Sequence, residues 1–243
     1  MEISKLTPAT GNSQKRWALL GCSRGLGRAF LEILQAQSSD SAKLLVSRKV
    51  ELLKPFQNRQ TIVTQQDFAK KEEWPTLLAE IKKFAPTHVI YFAGGGPFGP
   101  FQTKSWKDHE WSLRVTFECP AFLLHSLLEE KSLQQITFVG SQIAEATTDP
   151  QAASYCAGKH ALRGLVTTVI AENKEKDVRL FSPGYLDTDL LPVNAWPRQQ
   201  RRKDGSGSSL VESPKEAAEV LWNWLQSNGE ADQHLRWPQS FKL

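Results

Sequence analysis

Apolar and polar positions along the chain follow two alternating periods. Short apolar runs of strand length recur at "RWALLG" (16–21), "KLLVS" (43–47), "TIVTQ" (61–65), "THVIYFAG" (87–94), "QQITFVGS" (134–141) and "DVRLFS" (177–182). Helical patterns separate them: Gly25 to Gln37, a turn after Ser47, "EEWPTLLAEIKKF", the long "HEWSLRVTFECPAFLLHSLLEE", and Ser154 to about Asn173. Strands separated by helices predict right-handed crossovers and a mostly parallel sheet covered on both faces. The expected fold class is therefore α/β, a doubly wound parallel sheet forming one Rossmann-type domain.

After "DVRLFSPG" the pattern lapses through "YLDTDLLPVNAWPRQQRRKDGSGSSL", then a helix opens at Ser213. That start is marked by "SPKE", a cap serine, a proline at the first helical position and a glutamate that closes a capping box. A long insertion after a strand's carboxyl end lies over the ligand crevice of such sheets. A short last strand is expected through His234 to Trp237.

Composition narrows the class. With 243 residues and 40% hydrophobic content the chain supports one sizeable core, assigned to 15–243. Residues 1–14 are polar and turn-rich and are expected to form a flexible arm with no signal-peptide run. No apolar stretch has the length of a membrane helix, so no membrane partner is expected. Cys22, Cys119 and Cys156 lie far apart without metal-ligand spacing, which favours reduced thiols, a cytoplasmic setting and no metal. A net charge of +4 is mild, and "RQQRRK" at 198–203 reads as a solvated loop or as a contact for an anionic substrate group rather than a nucleic-acid surface.

The first strand runs into "GCSRGLGRAF", with Gly21, Gly25 and Gly27 at the turn into a helix. Glycines there allow a tight turn and close approach of a pyrophosphate, while the helix N-terminus offers free N–H groups. At the end of the second strand an acidic side chain would suit the ribose hydroxyl of NAD, and a cation the extra phosphate of NADP. Here "LLVSRK" supplies Ser47, Arg48 and Lys49 and no carboxylate, with Arg24 a second candidate cation. NADP(H) is expected in preference to NAD(H); for Lys49 a solvated helix start is the competing reading.

"GCSRGLG", Asp67, "FAGG" at 92–95, Ser141, "YCAGK" at 155–159 and "SPGYLDTDL" occur in an order and spacing that resemble the short-chain dehydrogenase/reductase family from about Arg16 to Gln226. The resemblance implies that Tyr155 is the general acid/base, that Lys159 tunes it and holds the nicotinamide ribose, and that Ser141 polarises the substrate oxygen. It places Gly21, Ser23, Arg24, Gly25, Leu26, Gly27, Arg48, Ala93, Gly94, Pro183 and Gly184 along the cofactor. By the same resemblance Asp67 and Phe68 meet the adenine and Thr188 the carboxamide. Positions four apart share a helix face, so Tyr155 and Lys159 can act together.

Three features depart from the family pattern. Leu20 stands where a threonine is frequent, and Tyr91 and Phe92 where two asparagines are, which reads as an apolar repacking that leaves no buried donor unpaired. Thr116 falls where many members place a helix-interrupting asparagine that supports a proton relay; its hydroxyl is expected to bond the preceding turn's carbonyl. The end "HLRWPQSFKL" lacks the glycine-rich terminal strand of many members, so a homodimer or homotetramer is expected through the helices at about 106–130 and 154–172. The expected function is NADPH-dependent hydride transfer between nicotinamide and a carbonyl or alcohol of a small-molecule substrate. The substrate would lie among Ser141, Tyr155, "GGGPFGPF" and 185–210, against Phe98, Phe101, Tyr185 and Trp196. The alternative is a non-catalytic NADP(H)-sensing protein on the same fold.

Overall fold

Strand β1 (Arg16–Leu20) shows why a parallel sheet forms: Trp17, Ala18, Leu19 and Leu20 are all fully buried, so both strand faces need cover. The computed structural model describes residues 15–145, 149–202, 207–227 and 233–239, and the expected N-terminal arm lies outside them. Helix α1 (Gly25–Gln37) leads to β2 (Ala42–Ser47), β3 (Thr61–Gln65), α2 (Trp74–Phe84) and β4 (His88–Tyr91). Then follow α3 (Trp106–Leu113), α4 (Cys119–Leu127), β5 (Gln135–Val139), α5 (Ala153–Glu172) and β6 (Asp177–Pro183). The chain continues through β7 (Tyr185–Leu186), β8 (Val211–Glu212), α6 (Pro214–Leu225) and β9 (His234–Trp237).

Seven strands pair in the order β3-β2-β1-β4-β5-β6-β9, and every pair is parallel. This is the doubly wound, single-domain Rossmann-type architecture. Alternate residues of β1 serve opposite layers: Trp17 and Leu19 pack with Phe30 of α1 and Leu221 of α6, Ala18 and Leu20 with Leu77 of α2, Leu123 of α4 and Leu162 of α5. Strand order reverses between β1 and β4, so the crevice opens at the carboxyl ends of those strands.

The structure revises several local expectations. β4 ends at Tyr91, and residues 92–100 leave the sheet to run beneath the crevice. The long fourth helix is divided, because Arg114–Glu118 form a π turn between α3 and α4. Tyr91 is not an apolar replacement: its hydroxyl donates to the Val115 carbonyl inside that turn at 2.7 Å. Thr116 does not bond the preceding turn. Its hydroxyl accepts from Gly95 N at 3.2 Å and donates to Gly95 O at 3.1 Å, tying the turn to the loop after β4. The described residues after β6 are not wholly irregular, since β7 pairs in parallel with β8 and a 3-10 turn spans Trp196–Gln199.

Candidate active site

A cleft of about 470 Å³ runs across the carboxyl ends of β1, β2, β4, β5 and β6. At one end the glycine loop forms a backbone cradle. Gly21 has φ +88°, and a Cβ there would stand 2.7 Å from Ala93 N; a Cβ on Gly27 would stand 2.7 Å from Gly21 O. Helix α1 starts from an extended Arg24 with no side-chain cap and no acidic residue in its first turn. Its first N–H groups and positive dipole end are thus left for an anion. Close glycine packing and an uncapped helix start fit a dinucleotide pyrophosphate.

Polar side chains continue the cradle. Ser47 donates to Ser23 at 2.7 Å, holding the end of β2 on the glycine loop. Arg48 faces Asp67 at 3.9 Å, with Phe68 beside them on the cleft wall. Arg24 reaches across the opening to Asp189 at 3.0 Å. Both guanidinium groups are exposed, and such surface pairs are worth about 0–1 kcal/mol, so they can exchange partners at small cost.

At the other end β5 and α5 bring Ser141, Tyr155 and Lys159 together. Ser141 follows β5 and lines the cleft together with Tyr155. Lys159, one turn along α5 from Tyr155, is 2% exposed, donates to Val139 O at 2.6 Å and lies 5.6 Å from the Tyr155 ring centroid. A Cβ on Gly94 would stand 3.0 Å from Lys159 Nζ, so the loop after β4 presses on the lysine. Burial pushes the Tyr155 phenol up to about 12, with Ser141 acting in the lowering sense. Burial also pushes Lys159 down to about 7. Protein groups alone therefore hold a protonated phenol beside a lysine that titrates near neutrality, which favours Tyr155 as a proton donor and leaves its anion to be stabilised by further positive charge.

A sequence profile described as short chain dehydrogenase matches residues 15–197. The chain belongs to the short-chain dehydrogenase family. Sepiapterin reductase of Xenopus tropicalis is 29% identical over 199 residues, 72% of this chain and 75% of that protein. Among solved structures, an alcohol dehydrogenase from the archaeon Thermococcus sibiricus complexed with 5-hydroxy-NADP superposes with a TM-score of 0.78 at 20% identity, covering 95% of this chain and 99% of that one. A short chain dehydrogenase from Burkholderia cenocepacia in complex with NADP gives a TM-score of 0.76 at 18% identity, covering 91% and 95%. These structures share the fold.

In this short-chain dehydrogenase every residue singled out from the sequence for catalysis or cofactor contact lines the one cleft, Pro183, Gly184 and Thr188 included. The expected substrate aromatics divide. Phe98 and Tyr185 line the cleft, whereas Phe101 is 51% exposed on the far side of its loop, stacked on His109, and Trp196 packs behind Tyr185. None of the described residues of the basic segment, 198–202, lines the cleft. Arg198 is spent on Asp187 and on the carbonyls of Pro192, Thr188 and Leu191, Arg202 pairs with Glu212, and Lys203 lies outside the described residues. Sequence reasoning passed over Trp111, Leu191 and Asp149, all of which line the cleft. Asp149 sits in the short span between Ser141 and Tyr155, and that position was the available signal.

Proposed function

We propose that this short-chain dehydrogenase is an NADP(H)-dependent oxidoreductase that reduces a carbonyl, or oxidises the corresponding alcohol, of a small molecule. The observation that carries the reading is the convergence of Ser141, Tyr155 and Lys159 at one end of a cleft whose other end is an uncapped, glycine-lined helix start. When bound, the dinucleotide supplies the hydride acceptor or donor. Gly21, Gly25 and Gly27 hold its pyrophosphate, Lys159 its ribose, and Arg48 and Arg24 the 2′-phosphate; Lys49 lines the same wall. In the reducing direction Ser141 orients the carbonyl oxygen and Tyr155 donates its phenolic proton to that oxygen as the alcohol forms. Lys159 stabilises the phenolate left behind.

The NADP preference is supported by the absence of any carboxylate at the end of β2, and a nicotinamide dinucleotide as such by the NADP and NADH named for solved structures of this fold. Leu165 and Val169 of α5, which pack against the core yet stay partly exposed, support a homodimer or homotetramer through α4 and α5. No described helix is long and apolar enough to cross a membrane, and no described group of residues has metal-ligand geometry. The reading places the enzyme in the cytoplasm. Calorimetric titration is expected to give tighter binding of NADPH than of NADH by at least tenfold. Tyr155→Phe is expected to cut turnover by about 10²- to 10⁴-fold while NADPH affinity stays within a few-fold of wild type. Failure of both dinucleotides to bind overturns the reading.

A further inference from the structure

Asp149 is a carboxylate in an apolar setting. It is 2% exposed and lines the same cleft as Ser141 and Tyr155. Ile143, Ala152, Tyr185 and Leu191 line that cleft with it and belong to a buried apolar cluster against which Tyr155 itself packs. Ala152 N donates to the Asp149 carbonyl at 3.1 Å and Cys156 N to the Ala152 carbonyl at 2.8 Å, so the Asp149 segment runs directly into the first turn of α5, which carries Tyr155.

The three donors that reach Asp149 among the described residues are neutral. Tyr185 Oη donates to Oδ2 at 2.7 Å, Trp196 Nε1 to Oδ1 at 3.2 Å and the Gln151 backbone N–H to Oδ1 at 2.9 Å. These bonds orient the carboxylate without neutralising it, and no lysine, arginine or histidine forms an ion pair with it among the described residues. A carboxylate accepts at about four positions, so one direction stays open after these three bonds. Burying a carboxylate without a counter-charge is costly, and a cation delivered to it recovers part of that cost.

Charge along the cleft is segregated in the same sense. Arg24, Arg48 and Lys49 lie at the glycine-loop end, and Arg198 and Arg202 after Trp196 are paired with Asp187 and Glu212. Of the other charged groups in the lining near Tyr155, Lys159 donates to Val139 O and Asp189 pairs with Arg24, whereas Asp149 lies with Phe98 and Tyr185 in the lining and takes the Tyr185 hydroxyl. A carboxylate beside aromatic faces is a receptor for a cationic nitrogen. We propose that Asp149 selects substrates that carry a protonated amine or amidinium in the same molecule as the carbonyl. The proposal rests on the oxidoreductase reading given above.

The test compares 4-(dimethylaminomethyl)benzaldehyde with its neutral isostere 4-isobutylbenzaldehyde, using NADPH and the wild-type and Asp149→Asn enzymes. The expected wild-type result is a kcat/KM at least tenfold higher for the cationic aldehyde, with the ratio falling close to one in D149N. Parity or preference for the neutral aldehyde in the wild type overturns the proposal and leaves the oxidoreductase reading standing. Calorimetric binding of the two corresponding benzyl alcohols to the wild-type protein provides a readout that needs neither turnover nor the variant. Tenfold tighter binding of the cationic alcohol with no turnover of any aldehyde upholds the cation site and sinks the oxidoreductase reading. Equal binding of the two alcohols overturns the cation site whatever the rates.

Discussion

Thr116 is fully buried between α5 and the loop after β4, where its hydroxyl serves both backbone groups of Gly95 and its methyl lies against Gly158. Ser112 also donates to Gly95 O, at 2.6 Å, so the carbonyl keeps a partner without Thr116 while the N–H loses the hydroxyl it uses. Thr116→Val preserves shape and removes that partner, at a cost of about 1–3 kcal/mol for an unsatisfied buried donor. Thermal unfolding is expected to show a fall in Tm of roughly 2–10 °C for T116V, with most of it recovered in Thr116→Ser. An unchanged Tm in T116V would show that the loop is held without this bond. At this scale the sequence disclosed which residue types gather in the cleft but not which way they turn. Tyr155, Lys159 and Ser141 were legible from their spacing and company. The partnership of Tyr91 with Val115 and of Thr116 with Gly95 was not, because each bond joins segments whose approach depends on the packing of α5 against the sheet.

At the scale of elements, the short strand β9 is held less by its own residues than by the loop that follows Ser141. Glu145 accepts from His234 at 2.7 Å and from Arg236, while Gln142 donates to Pro238 O at 2.7 Å and Ser182 meets His234 at 3.0 Å. Burial on its own would raise the Glu145 carboxyl, but hydrogen bonds from His234, Ser182 and Arg236 outweigh it and hold the group down to about 2. A folded-state value below the unfolded one means stability that is present above about pH 4.5 and lost as pH falls toward 2. Acid unfolding followed by far-UV circular dichroism is expected to begin at higher pH in the wild type than in Glu145→Gln, measured relative to each protein's stability at pH 7. Parallel curves would remove Glu145 from the acid response. Strand and helix positions were largely readable from periodicity, down to α1 and β9, since buried strands must be apolar on both faces and helices on one. The π turn was not, because Arg114–Glu118 keep helical spacing and only the hydrogen-bond pattern changes. Nor was the β7–β8 pair, whose strands are too short to carry a period.

For the whole molecule, the site imposes a cost that depends on pH. Lys159 is buried without an ion pair among the described residues, its ammonium facing only the Val139 carbonyl, and burial lowers it from 10.5 to about 7. Below pH 7 the lysine is protonated both folded and unfolded, and folding must bury the charge. Between pH 7 and 10.5 the unfolded chain keeps that proton while the folded chain releases it, so the unfolded state binds more protons and stability rises with pH. Tyr155 works in the opposite sense at higher pH, because a phenol raised to about 12 costs stability as pH climbs past 10. Lys159→Met removes the first effect while filling the space. Chemical denaturation is expected to show the stability of wild type relative to K159M improving by about 3 kcal/mol between pH 6 and pH 9. A difference that stays flat over that range would mean that Lys159 remains charged in the folded protein throughout. Its ammonium would then already be available to the phenolate at neutral pH, and the proton delivered by Tyr155 would leave behind an anion that the protein itself can stabilise.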